Sequence, residues 1–535
     1  MPDPEKKYKA VTLSSVDVCL VGAGAAGGIL AEKLAQNGMS VVLLEAGPNW
    51  SKDEIKNDEL ELEKWLWPWS RKLGGEYPVL PFTGIGVGGT TRIYAGISMR
   101  ARPNDFASRS KRGFGVDWPI GYQDLLSHYE EIEEKIGVQG SIENLPGRPV
   151  SLKDYPMGPA PLGPNGKILF QGAKSIGLNP LRSPIAINSL PYDKRPRCVQ
   201  CGFCLLDCPS LAKGTIANTY IVDALNSGLE LRTKTFAVDI PVDEEGQVTG
   251  VTYVHQRDGK KYHQKAKTVI LTSGTVEVTR LLLNSTSPRF PKGLANGSGL
   301  VGKYFMSQVM GFVLGVFPKP VQSYKGMTSG VHVEDFYESD KNRGFLGGYT
   351  MHQFMFGPVW LSYIVPPFET EPVSWGQGLK DYMKQFERFA GILYVGEEMA
   401  QQKNTIRTDP KISDDFGTPI SVLTHDSSKN DTLLRKHAEK MCAKILNAAG
   451  AEKILASLTL RHVAFQSMGT TRMGSDPEKS VVNEFCRAHD VDNLFIVSGS
   501  VFPTATPTFP TLTLQAIASR TADHIVSEWK KSGNR

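Results

Sequence analysis

Residues 17–45 constrain the fold more tightly than any other part of this chain. Asp17 to Val21 is a short apolar run that reads as a buried strand, and it leads directly into Gly22-Ala23-Gly24-Ala25-Ala26-Gly27. A helical pattern follows, with Leu30 and Leu34 on one face, and stops at Gly38; Val41 to Leu44 then reads as a second strand ending in Glu45. Strand, glycine turn, helix and strand in about thirty residues is the unit that holds a dinucleotide. Gly22 permits the tight turn, Gly24 lets the backbone approach a pyrophosphate, and Gly27 lets the helix pack on the strands, while Ala25, Ala26 and Ala46 belong to the same candidate binding surface. The helix N-terminus offers unpaired N–H groups and a partial positive charge to the phosphates. Glu45 lies about twenty residues on, where it suits ribose hydroxyls and would repel a 2'-phosphate.

At 535 residues the chain is long enough for two or three structural units that share one active site. The formal net charge is only +5, with no long run of Lys or Arg, which argues against a nucleic-acid partner. No apolar stretch reaches the roughly eighteen residues of a membrane span, and the N-terminus lacks the apolar core of a secretory signal. The expected compartment is therefore the cytoplasm. Export alongside a signal-bearing partner subunit, to the periplasm, is the alternative.

The seven cysteines are unevenly spread. Cys198, Cys201, Cys204 and Cys208 fall within eleven residues and are followed by Pro209, which is the spacing of the bacterial ferredoxin run, with Gly202 supplying a turn. This predicts an iron–sulfur cluster in an insert at residues 190–212. In two-cluster ferredoxins the fourth cysteine serves the other cluster, so several arrangements stay open: a 4Fe–4S cluster with Cys208 folded back, a 3Fe–4S cluster, or a set completed by Cys442 or Cys486. Structural zinc, disulfides and free thiols are the competing readings. Cys19, inside the first strand, reads as a small core residue.

Four blocks in order along the chain resemble the glucose-methanol-choline (GMC) oxidoreductase family. They are the N-terminal unit above, the second glycine segment Gly84 to Tyr94 with Gly89, Thr90 and Thr91, the stretch Thr268 to Thr275 with Glu277 and Arg280 to Ser285, and the C-terminal Gly469 to Gly474, Val497 to Pro503 and Pro510 to Thr513. The resemblance implies an α/β protein with a Rossmann-like FAD-binding domain and an α+β substrate domain containing an antiparallel sheet. The FAD domain would be discontinuous, from residues 1–165, 210–306 and 462–535, with the substrate domain at 307–461. Strands at Met310 to Phe317 and Phe389 to Val395 and a helix at Asp431 to Gly450 are consistent with that division. Val238, Ser273, Gly274, Gly499, Ser500, Pro510, Thr511 and Leu512 join the implied cofactor-binding set. Relatives that attach flavin covalently use a His in the second glycine segment; the aligned position here is Ile93, so FAD is expected without a covalent link.

The catalytic pair departs from the family pattern. The family's His before the C-terminal Gly-Thr is Gln466 here, and its second His or Asn is Phe509. Gln has no accessible pKa and Phe has neither donor nor acceptor, so this pair cannot supply a general base. His462 and His352 are candidates for a relocated base, with His332, Tyr394 and Glu397 behind them. The aromatic and Met-rich stretch Met351 to Trp360, together with Phe509, hints at an apolar substrate surface, and Trp65 to Trp69 reads as a lid, a contact or a packed turn.

What the resemblance implies is a dehydrogenase that moves hydride from a hydroxyl-bearing substrate, whether sugar, polyol or aromatic or apolar alcohol, to flavin. Its electrons would leave singly through the cluster to a cytochrome, ferredoxin or flavoprotein, and a small accessory subunit is among the implied partners. The altered pair keeps two alternatives open: a flavin-dependent lyase or other non-hydride enzyme, and an oxygen-using oxidase without a cluster.

Overall fold

The computed structural model describes residues 10–68, 71–142, 153–363, 365–366, 368–369 and 373–533. Trp69 and residues 1–9 lie outside that description. Three larger sheets and one two-stranded sheet, Leu80–Pro81 with Val463–Ala464, organise the described residues, and the first is built around β1 (Val11–Val21), α1 (Gly27–Gln36) and β2 (Val41–Leu44). Strand Glu230–Arg232, β2, β1 and strand Lys261–Leu271 run parallel, and Leu494–Ile496 extends the sheet beside the C-terminal end of Lys261–Leu271. Strands Gly250–His255 and Thr235–Asp239 continue it antiparallel. α1 packs against helices Tyr220–Asn226 and Thr511–Lys531, which explains why most of its surface is buried.

β1 begins six residues before the apolar run that marks it in the sequence. Its first half is Val11 to Val16, largely exposed, and pairs with Tyr262 to Ala266 through a register shift. A strand whose sides both face water carries no apolar period, so hydrophobic patterning finds only its buried end.

The second sheet is antiparallel throughout, in the order Lys453–Ala456, Val309–Val316, Phe389–Gly396, Tyr349–Gln353, Val331–Val333, Pro180–Arg182. Successive side chains on a strand face opposite sides. Val309, Val313, Ile392 and Tyr394 therefore pack with helix Lys429–Ala448, whereas Met310, Phe312, Leu393 and Val395 face a second apolar cluster that includes Phe509 and Trp360. Tyr394 lies across Gly311, where a Cβ would come within 2.0 Å of the tyrosine oxygen, so no larger residue fits beneath it.

The units mix along the chain. Helix Pro164–Ser175 and strand Pro180–Arg182 join this second sheet from before residue 307. The hairpin Thr405–Ser413 and Pro419–Thr424 leaves it to pair with Lys303–Met306 and Lys72–Gly74 in the third sheet. Among the described residues no helix is long and apolar enough to cross a membrane.

Candidate active site

A deep cleft runs between the first sheet and the C-terminal segment and encloses about 1560 Å³ of free space, solvent at its mouth included. Gly22, Gly24, Ala25, Ala26, Glu45, Ala46, Gly89, Thr90, Thr91, Ser273, Gly274, Gly499, Pro510 and Thr511 line it. The two glycine segments meet here: a Cβ on Gly89 would stand 3.0 Å from the Cα of Gly24, and the Gly88 N–H donates to the Ala23 carbonyl at 2.8 Å. Glu45 ties this junction together, because its carboxylate accepts N–H bonds from Ala23 (2.9 Å), Gly47 (2.8 Å) and Gly86 (3.1 Å). Three helices turn their N-termini toward the cleft, with Ala26 before α1, Gly274 before Thr275–Asn284 and Pro510 before Thr511–Lys531. Converging helix N-termini favour an anionic group, so the cleft fits a diphosphate-bridged dinucleotide.

Four residues of the expected cofactor set do not face this cleft. Gly27 lies beneath it: a Cβ there would approach the Gly22 carbonyl oxygen to 1.9 Å, so its part is close helix–strand packing. The lining passes through Thr235, Phe236 and Ala237 and stops before Val238, at the register shift between Ala237 and Asp239. Ser500 is buried under Ser498 and Gly499, where its hydroxyl bonds Thr471 and Ser498. Leu512 is buried in the main apolar core.

A smaller chamber of about 580 Å³ opens off the cleft. Phe82, Thr90, Tyr94, Phe465, Gln466 and Thr511 line both spaces, whereas Phe509 lines only the chamber. The carboxamide oxygen of Gln466 is buried and has no hydrogen-bond partner among the described residues. An unpaired buried acceptor at the junction of two cavities is a group waiting for a ligand donor.

None of the relocated-base candidates reaches either space. His462 Nδ1 donates to the Pro78 carbonyl (3.0 Å) and the ring stacks on Tyr77. His352 is fully buried behind Phe509, ring centroids 5.0 Å apart, with Nε2 against the Thr350 hydroxyl at 2.9 Å. Burial, then the neighbouring His332, holds His352 well below the ordinary histidine range. His332 bonds Ser183, Tyr394 bonds Glu439 on the opposite face of the sheet, and Glu397 is paired with Arg112. The carboxylates that do line the cleft are already held, Glu45 by three N–H groups and Glu277 by Arg71 and Arg280.

The cysteine loop lies against the chamber wall through Leu205. Gln200 and Gly202 adopt left-handed φ values of 55° and 86° that turn the loop back on itself. The Cys198 sulfur accepts the Gln200 N–H at 3.3 Å, and Cys204 is hydrogen-bonded by Thr328. Burial, then the charges of neighbouring cysteines, pushes the Cys198 thiol up to about 12. The Cys198 thiol is therefore neutral unless a metal's positive charge holds it as a thiolate. Cys442 and Cys486 are fully buried in two other apolar clusters and do not join the loop.

Comparison with known proteins decides the family. The chain matches the N-terminal GMC oxidoreductase domain over residues 21–303 and the C-terminal one over residues 400–518. It belongs to the GMC oxidoreductase family. The 2-methyl-1,2-propanediol dehydrogenase of Mycolicibacterium austroafricanum is 31% identical to it, over 95% of each chain. The fructose dehydrogenase large subunit of Gluconobacter japonicus is 26% identical, over 97% of this chain and 99% of that one. Its fold is similar to that of the pyridoxine 4-oxidase of Mesorbium loti, with a TM-score of 0.65, 17% identity, and coverage of 95% and 99%. A formate oxidase of Aspergillus oryzae gives a TM-score of 0.69 at 16% identity, covering 97% and 99%. As a GMC oxidoreductase this chain binds FAD and acts on CH–OH groups.

Three features of this GMC site escape a reading of the sequence. Lys213 is fully buried, and its ammonium donates to the carbonyls of Arg92, Tyr94, Cys204 and Leu206. Arg92 and Asp207 form a buried ion pair. Both fasten the cysteine loop to the second glycine segment. Phe82, packed on Phe465 and Trp360, forms the throat between cleft and chamber; only its odd position after Pro81, at the end of a two-residue strand, marks it in the sequence.

Proposed function

We propose that this GMC oxidoreductase is a dehydrogenase of hydroxyl-bearing organic compounds whose four clustered cysteines hold an iron–sulfur cluster. FAD, when bound, would supply the two-electron acceptor, so the substrate passes from CH–OH to C=O with its hydride taken by the flavin and its hydroxyl proton released to solvent water at the cleft mouth. The cluster would supply one-electron exchange with an external acceptor protein such as a cytochrome, ferredoxin or flavoprotein.

The observation that carries the reading is the Gln466 oxygen, unpaired where cleft and chamber join. Gln466 can accept the substrate O–H and orient the carbon toward the cleft, but it does not take the proton. Phe82 and Phe465 narrow the throat and exclude water from the reacting carbon. The names of two relatives, a propanediol dehydrogenase and a fructose dehydrogenase large subunit, support oxidation of hydroxyl groups, and the second is named as a subunit.

The test is iron and acid-labile sulfide analysis with electron paramagnetic resonance on anaerobically purified protein, combined with turnover using ferricyanide or oxygen. The expected result is both elements present and faster turnover with ferricyanide. Absence of both elements with equal use of oxygen supports an oxidase instead, and a flavin that no alcohol reduces supports a lyase.

A further inference from the structure

Polar groups of the chamber beside the FAD cleft gather at one end, apart from the indole N–H of Trp360. Among the described residues the other polar side chains are Thr90, Tyr94, Gln466 and Thr511, and all four also line the cleft. Two of these are already engaged: the Thr90 hydroxyl accepts the Gly84 N–H at 3.1 Å, and the Tyr94 hydroxyl donates to the Gly214 carbonyl. Gln466 keeps an unpaired oxygen. Beyond that end the lining is apolar or aromatic, with Met310, Phe354, Trp360, Leu393 and Phe509 around it and Leu205 at its outer side, and among the described residues none of those lining it is charged.

Resting on the hydroxyl-oxidising reading above, we propose that the chamber selects a compact apolar or aromatic alcohol, presenting one hydroxyl to Gln466, and rejects sugars and polyols. The hydroxyl to be oxidised must lie at the cleft end, which is where the polar groups are. Each additional hydroxyl would enter the apolar end and lose its water, with the Trp360 indole N–H the one side-chain donor among the described lining residues and no side-chain acceptor there for the hydroxyl's own proton. A buried hydroxyl left unpaired costs on the order of tenfold to a hundredfold in affinity. Flat rings gain there instead, because Phe354, Trp360 and Phe509 present faces and edges to an aromatic guest.

Leu205 is the specificity residue this arrangement assigns to the cysteine loop. It and Trp360 line the chamber and also a second cavity beneath the loop, so these two side chains separate the spaces. Shortening Leu205 lengthens the chamber without touching the polar end.

The test compares benzyl alcohol and cyclohexylmethanol with sorbitol and glucose as reductants of the bound flavin under anaerobic conditions, and measures benzamide binding by calorimetry. The expected result is a kcat/KM at least about a hundredfold higher for the two apolar alcohols. Benzamide, which carries no oxidisable hydroxyl, should bind, and Leu205→Ala should shift preference toward longer para-substituted benzyl alcohols. Reduction by sorbitol or glucose as fast as by benzyl alcohol, or no heat with benzamide, overturns the substrate class while leaving hydroxyl oxidation in place. A flavin bleached by none of the four overturns the hydroxyl-oxidising reading itself.

Discussion

The ammonium of Lys213 donates to the carbonyl oxygen of Cys204 at 2.7 Å, and the same group reaches back to the carbonyl of Arg92 at 2.6 Å. One buried cation thus joins the cysteine loop to the glycine segment that lines the FAD cleft. Lys213→Ala leaves several buried carbonyls without a donor, and the expected loss is about 2–4 kcal/mol of stability. Urea unfolding measures that loss. Faster reaction of Cys204 with a thiol reagent, at denaturant concentrations too low to unfold the chain, reports the released loop.

Glu45 organises the nucleotide end through the N–H groups of Ala23, Gly47 and Gly86. Glu45→Ala removes the acceptor for all three. FAD affinity should fall by roughly tenfold to a hundredfold, since a buried N–H left unpaired costs about 1–3 kcal/mol. The flavin-to-protein ratio after gel filtration checks it, and Glu45→Asp should recover part of the loss.

The Gln466 assignment makes a prediction about pH as well as rate. Gln466→Leu should keep its full flavin content yet lose about tenfold to a hundredfold in kcat/KM, the worth of one hydrogen bond that orients the reacting group. Gln466→His places a titrating group at the throat, and its kcat should acquire a pH dependence near neutrality that the parent lacks.

Much of the site was legible because its parts are local. The glycine turn, the helix behind it and Glu45 lie within 29 residues and carry their own geometry. Gln466 was legible because the Gly469 to Gly474 motif fixes where it points. His352 and His462 were not legible, because whether a histidine meets a cavity depends on what stands between them. In the fold Phe509 covers the first, and Pro78 with Tyr77 takes up the second. Lys213 shows the same limit: its cage gathers carbonyls from 92, 94, 204 and 206, and a carbonyl has no signature in the sequence.

His352 ties stability to pH. It is fully buried with a pKa held well below its ordinary 6.5, chiefly by desolvation and next by His332. The unfolded chain therefore binds a proton below pH 6.5 that the folded chain refuses. This contribution is present above that pH and is lost as pH falls, with a slope approaching about 1.4 kcal/mol per pH unit. Chemical denaturation between pH 7 and pH 5 measures the slope, and His352→Gln should flatten it.

The central claim is that hydride leaves a substrate carbon held at Gln466 for the flavin in the adjoining cleft. Anaerobic rapid mixing of the FAD-loaded protein with an alcohol and its α-deuterated form tests this most directly. The account predicts that the yellow flavin absorbance bleaches and that deuterium slows the bleaching severalfold, with Gln466→Leu slowing it further. Flavin that stays oxidised with every alcohol tried, or bleaching at the same rate for both isotopes in the parent and the variant alike, would contradict it.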